Sequence, residues 1–299
     1  MISADSNSKP MKLSEMLQEA GIAEYADWTK QVEVWPNGNQ TFKPRRYQIE
    51  DVNHMAAYLP RMGLWSEPGV GKSLSMQAFA LWLSGLGNKS VVIMPPGLVP
   101  QFYNSFHSQF PGHQPHVKVA MLFGERGARQ KLIDHFNQSG WPDILLMSYE
   151  TFRGKTKAPA SSRVPKSVQA ELDKLSPEAS LKRRQEISEE LRTKQKQEDK
   201  LYQYTPGATI TAYNFRWQAL KHLGYNMVIC DEAHAVKKPS ADIHQAVREF
   251  VEPWDDNTSN GLVLATGSPI KTNVEDAYGL INLLDPKRYG SARAFDAMH

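Results

Sequence analysis

Along the chain, short uninterrupted apolar runs alternate with stretches whose apolar positions recur every three or four residues. Five runs carry the first pattern: 90–94, ended by Pro95-Pro96, then 117–123, 143–148, 226–230 and 261–265. A shorter apolar pair, Leu64-Trp65, adds a further short strand ahead of them. Helical spacing appears over 12–30 (Leu13, Met16, Leu17, Ile22, Tyr25) and over 46–58 (Ile49, Val52, Met55, Ala56), and 74–83 is apolar enough for a buried helix. Trp35-Pro-Asn-Gly38 punctuates the N-terminal part as a turn. Strands that do not alternate apolar with polar residues are buried on both faces, which requires a parallel sheet with helices on each side. The expected fold is therefore α/β.

One segment breaks the rhythm. From Arg153 to Tyr213 there is no strand signal and an abundance of Lys, Arg, Glu and Gln. Pro165 and Ser176-Pro177-Glu178 are helix starts, so two helices are expected, over 166–175 and 177–203. Their apolar stripes are sparse: Val168, Leu172 and Leu175 on the first, Ile187 and Leu191 on the second. This is a charged helical insertion, 153–213, within a lobe spanning 41–299, with 1–40 as an N-terminal extension.

Composition narrows the picture. The 299 residues are 40% apolar and 22% charged, an ordinary globular balance. A single cysteine, Cys230, excludes an internal disulfide framework and a cysteine-cluster metal site, and its place in a strand makes it a small buried hydrophobe. The longest apolar helix, 76–83, falls far below the roughly 20 residues of a membrane span, and no secretory leader pattern opens the chain. No membrane partner is expected, and the expected location is cytoplasmic. The net charge is only +3, but 153–200 holds 13 basic and 8 acidic side chains, leaving the remainder at −2. Any nucleic-acid footprint is therefore local.

Two constellations carry chemistry. Gly69-Val-Gly-Lys-Ser73 is the second half of a phosphate-binding loop, in which glycines turn backbone N–H groups toward phosphates at a helix start. In such a loop Lys72 reaches the β- and γ-phosphates and the Ser73 hydroxyl holds Mg²⁺. The first glycine of the full pattern is replaced by Ser66. Downstream, Asp231-Glu232-Ala-His234 sets two carboxylates at the carboxyl end of an apolar strand, where open parallel sheets bind ligands. Asp231 suits Mg²⁺, partly through water, and Glu232 suits orienting and deprotonating an attacking water. Tyr202, Tyr204, Tyr213, Phe215 and Trp217 are assigned to core packing or loop anchoring rather than base stacking, and the eight other histidines show no metal spacing.

With these residues in place, the chain resembles superfamily 2 helicases, above all the Swi/Snf-type DNA translocases. Asp231-Glu-Ala-His234 with Val236-Lys237-Lys238-Pro239 resembles motif II, a DEAH box. Pro44-Arg-Arg-Tyr-Gln48 resembles the glutamine motif, and Val91-Val-Ile-Met-Pro95 with Val99-Pro-Gln-Phe102 resembles motif Ia. Met147-Ser-Tyr149-Glu-Thr-Phe152 resembles motif Ib, and Leu264-Ala-Thr266-Gly267-Ser268-Pro269-Ile270, followed by 278–286, resembles motif III and its helix. The resemblance covers about 42–290 apart from the insertion; Ser66 and Pro68 depart from the usual loop, and Ser268 stands where Thr is common.

The resemblance implies a RecA-like lobe that binds ATP and Mg²⁺, with Gln48 on adenine and Glu67, Pro68, Gly69, Val70, Gly71, Lys72, Ser73 and Leu74 around the nucleotide. His234, Thr266, Gly267 and Ser268 would couple that site to a nucleic-acid face where Ser148 and Thr151 bond backbone phosphates. It also implies a second RecA-like lobe, in cis or in trans, whose arginines complete the site; only 13 residues follow Pro286, so a fragment or a lobe needing a partner is expected. The implied function is ATP hydrolysis coupled to movement on double-stranded DNA. Two alternatives stay open: a nucleotide-responsive nucleic-acid or protein-binding module that hydrolyses little, and an RNA helicase lobe. The compact spacing and unusual loop residues point to a bacterium or a phage-infected cell.

Overall fold

A computed structural model describes residues 44–111, 117–154, 182–187, 200–252, 260–270 and 275–292, with single positions at 189, 190, 193, 197 and 295. Six strands form one sheet: β1 (Arg61–Leu64), β2 (Lys89–Met94), β3 (Val119–Leu122), β4 (Ile144–Ser148), β5 (Tyr225–Asp231) and β6 (Gly261–Ala265). Every neighbouring pair is parallel, in the order β1-β6-β5-β2-β4-β3. The expected α/β, RecA-like parallel sheet flanked by helices is what the chain forms.

Alternate strand residues feed opposite layers. Val92, Met94, Leu146, Ile229 and Val263 pack against α1 (Arg46–Ala57), α2 (Lys72–Gly85) and α3 (Val99–Gln109). Val91, Ile93, Leu145, Val228 and Leu264 face α4 (Arg126–Ser139), α5 (Tyr149–Arg153), α6 (Trp217–His222), α7 (Asp242–Val251) and α8 (Glu275–Leu284). Both faces of the central strands are thus buried, which is why they appear as unbroken apolar runs. Among the described residues the edge strand β1 pairs only with β6 and is mostly half-buried, so Arg61-Met-Gly-Leu64 carries no such run, and Trp65 lies outside the strand, exposed.

Helix α8 docks tightly. A Cβ on Gly279 would collide with the Lys237 carbonyl, so the absence of a side chain lets α8 lie against the turn after β5. In the insertion, every described position of 182–201 is helical and Ile187 is buried, in line with the second expected helix. The expected helices at 12–30 and 166–175 lie outside the described residues. The return of the insertion packs into the lobe: Asn137 Nδ2 of α4 donates to Ile210 O at 3.0 Å, and Gln130 Oε1 accepts from Ala212 N at 2.8 Å. Among the described residues no helix is long and apolar enough to cross a membrane.

Candidate nucleotide site

All six strands point their carboxyl ends to one edge of the sheet, and the motifs collect there. After β1 the chain turns through Ser66 to Gly71, with Gly69 at φ 82° and Gly71 at φ 88°, before α2 starts at Lys72. A side chain at Gly71 would be strained by that φ and would also meet Gln48 Nε2 at 2.6 Å, so Gln48 lies directly against the loop. Gln48 Oε1 in turn accepts from Arg45 N at 2.9 Å, and Tyr47 donates its hydroxyl to Val70 O at 2.7 Å. The glutamine motif is therefore a brace for the loop as well as its neighbour.

Buried Lys72 curls back into the loop, its Nζ donating to Ser66 O and Glu67 O at 2.8 Å each. The ammonium occupies the concavity that phosphate oxygens would share, with two left-handed glycines and a helix start around it. This arrangement fits a nucleoside triphosphate. Glu67, Pro68 and Gly69 are exposed at the loop's tip; Val70, Gly71, Ser73 and Leu74 are half-buried beneath it.

β5 delivers the carboxylates. Asp231 is buried, and burial first, then the Glu232 carboxylate, push its pKa up to about 6 against the opposing pull of the Glu232 N–H and the Lys72 ammonium. Glu232 has φ 53° and ψ 50°, the left-handed region, and is alone in this among the described non-glycine residues. Its N–H donates to Asp231 Oδ1 at 3.0 Å. His234 Nδ1 lies 3.2 Å from Glu232 Oε2 and 3.5 Å from Thr266 Oγ1, and Thr266 Oγ1 accepts from Ser268 N at 3.2 Å. Thr266 N also donates to Leu64 O at 3.2 Å, and a Cβ on Gly267 would meet Pro68 Cδ at 2.7 Å. The loops after β1, β5 and β6 are thus in direct contact, and Ser73 with Asp231 supplies the oxygen donors that suit Mg²⁺.

Two strands away the corner after β4 is built differently. Ser148 Oγ accepts from Thr151 N at 3.2 Å and caps α5, while Arg129 Nη1 donates to Thr151 Oγ1 at 3.1 Å. Both hydroxyls are nearly buried and serve this cap. Beside it opens a cavity of about 180 Å³ lined by Arg126, Arg129, Arg153, Glu150, Tyr202 and Tyr213. The Arg126 guanidinium sits 4.6 Å from the Tyr213 ring centre and 5.8 Å from that of Tyr202. Tyr202 and Phe215 are buried, and Phe215 stacks on Trp141 at 5.7 Å, so these two anchor the return of the insertion as expected, whereas Tyr213 is exposed. Cys230 is buried and its thiol pushed far up by burial, an inert hydrophobe.

Sequence reading did not single out Arg129, Arg126 or Tyr149 as members of these networks. Tyr149 donates its hydroxyl to the Asp231 main-chain oxygen at 2.6 Å, joining the β4 corner to the carboxylates. No pattern in the chain announces a bond between residues 82 positions apart.

Known proteins share this design. The yeast "ISWI chromatin-remodeling complex ATPase ISW2" is 32% identical over 267 residues, covering 87% of this chain and 17% of its own length. The Arabidopsis "CHD3-type chromatin-remodeling factor CHR7" is 28% identical over 259 residues, 83% of this chain and 16% of that protein. The chain thus spans about a sixth of the length of these relatives. Among solved structures, the Sulfolobus solfataricus SWI2/SNF2 ATPase core in complex with dsDNA has the same fold, with a TM-score of 0.52 at 18% identity over 89% of this chain and 41% of that one. The expected bacterial or phage cytoplasm does not stand: relatives in yeast, Arabidopsis and human are chromatin-remodelling or chromatin-regulating proteins of eukaryotes. The sequence model of the SNF2-related domain matches residues 47–299, and the chain belongs to that family.

Proposed function

We propose that this lobe binds ATP with Mg²⁺ and, with a second RecA-like lobe, couples hydrolysis to movement on double-stranded DNA. The observation that carries the reading is the meeting of three loops at one sheet edge: Lys72 in its phosphate cradle, Asp231 and Glu232 at the end of β5, and Thr266 bridging to His234. Gln48, braced against Gly71, takes the adenine side, and residues 67–74 wrap the phosphates. The Ser73 hydroxyl and, partly through water, Asp231 would hold Mg²⁺, which would neutralise phosphate charge when bound. Lys72 exchanges its two carbonyl partners for phosphate oxygens. Glu232 orients a water for in-line attack and accepts its proton. His234, within reach of both Glu232 and Thr266, passes the state of that carboxylate to the motif III loop, with Gly267 and Ser268 moving against Pro68.

The DNA part of the reading is supported by the relatives' work on chromatin and by the dsDNA in the Sulfolobus complex. Ser148 and Thr151 stand at the corner that would face the backbone. The Ser148 hydroxyl already caps α5 and that of Thr151 is held by Arg129 and Ser148, so they position the corner and its arginines more than they bond phosphate themselves. The second lobe supplies the arginines that stabilise transition-state charge, which can be worth about 10³–10⁵ in rate.

Nucleotide binding and turnover test the reading, the latter with and without double-stranded DNA. Lys72→Ala is expected to abolish ATP binding; undiminished binding would sink the assignment. Glu232→Gln is expected to keep binding while DNA-stimulated turnover falls by about 10²–10⁴. Wild-type turnover in that variant would show that another group accepts the proton.

A further inference from the structure

We propose that Tyr149 is a positioning residue: its hydroxyl holds the Asp231–Glu232 peptide in the left-handed turn that presents Glu232, and ties the β4 corner to the carboxylates. The inference rests on the reading of Glu232 as the proton acceptor.

A glutamate in the left-handed region costs free energy and persists only where its surroundings over-determine it. Here both ends of the peptide between Asp231 and Glu232 are pinned. The N–H donates to Asp231 Oδ1 at 3.0 Å, and the carbonyl oxygen accepts from the Tyr149 hydroxyl at 2.6 Å. The pairing of β5 with β6 reaches Asp231, opposite Ala265, but that with β2 ends at Cys230, and past that end the Asp231 carbonyl takes the Tyr149 hydroxyl. Tyr149 is the first residue of α5 and is itself buried.

The other end of the ring matters equally. Tyr149 follows Ser148, the cap of α5, and the same cap receives Arg129 from the rim of the cavity through Thr151. A displacement of this corner therefore moves a rigid ring whose far end holds the catalytic peptide. Loss of the hydroxyl leaves the nucleotide loop untouched, because Tyr149 contacts neither Lys72 nor residues 66–71 through any of these bonds. The geometry predicts a fault in turnover, not in binding.

The test is Tyr149→Phe in the full-length protein, assayed beside Glu232→Gln. Expected is an ATP dissociation constant and KM within about threefold of wild type, with DNA-stimulated kcat reduced about 10- to 100-fold. Wild-type kcat in Tyr149→Phe beside a dead Glu232→Gln overturns the role of Tyr149 and leaves the general-base reading standing. Wild-type turnover in Glu232→Gln overturns that reading and this inference with it. Should Tyr149→Phe fail to fold, Tyr149→4-aminophenylalanine, which keeps a donor at the same place, is compared with Tyr149→4-fluorophenylalanine, which has none. Retained kcat in the first and lost kcat in the second are expected; equal kcat in both overturns the inference.

Discussion

Asp231 shows what a nucleotide site costs a protein at the level of one side chain. The folded chain keeps the Asp231 proton up to about pH 6, whereas the unfolded chain releases it near 3.8. Between those values the folded state binds more protons than the unfolded one, so this group's contribution to stability falls as pH rises and is lost above 6. The two-unit gap corresponds to about 3 kcal/mol at most. Asp231→Asn removes the charge but keeps the oxygen that accepts the Glu232 N–H. In the absence of nucleotide and Mg²⁺ the variant is therefore expected to melt higher than wild type at pH 7, by roughly 2–3 kcal/mol, with the gap closing toward pH 4. Equal melting at pH 7 would mean that Asp231 is better solvated than its burial implies.

At the scale of elements, the site depends on how α8 meets the turn Ala233–Val236 and the residues that follow it. Gly279→Ala in a free helix would stabilise by roughly 0.5–1 kcal/mol, since glycine is the poorer helix former. Here the added carbon would run into the Lys237 carbonyl and lie 3.2 Å from Pro239 Cδ. The expected sign is therefore reversed, a loss of about 1–3 kcal/mol in denaturant unfolding; a gain would show that α8 does not dock this way. The same contrast between local and long-range causes explains what could be known beforehand. β2, β4, β5 and β6 were legible because burial on both faces leaves an apolar run, and Lys72, Asp231 and Glu232 because their spacing is local. β1 was placed late and short, since an edge strand with half-buried residues leaves no such run. The bond from Tyr149 to Asp231 and the bridge from Arg129 to Thr151 depend on which strands lie side by side, and strand order is not written in periodicity.

At the scale of the whole molecule, the described residues at the junction of the sheet lobe and the charged segment bear on how separable the two are. Gly154 lies against the stretch that follows the charged segment: a Cβ on it would lie 2.5 Å from Arg216 Cβ and 2.9 Å from Phe215 O. Tyr202 and Gly154 line the same cavity, so a short bridge can span them. The return itself belongs to the core through Ile210 and Phe215, while buried Tyr202 and exposed Tyr213 pack around Arg126. Among the described residues of 155–200 Ile187 is buried, and the segment holds 12 basic against 8 acidic side chains, a net of +4. Replacing 155–200 by a few Gly and Ser residues is therefore expected to leave the sheet and ATP affinity intact. Loss of the Ile187 contact by itself should lower the melting temperature by about a few degrees. Loss of folding would show that the excursion is part of the core. The same variant measures the excursion's share of DNA binding, because each phosphate contact removed should flatten the plot of log affinity against log salt by about 0.9. An unchanged slope would assign its positive charge to solvent and leave Arg126, Arg129 and Arg153 at the β4 corner as the basic groups facing DNA.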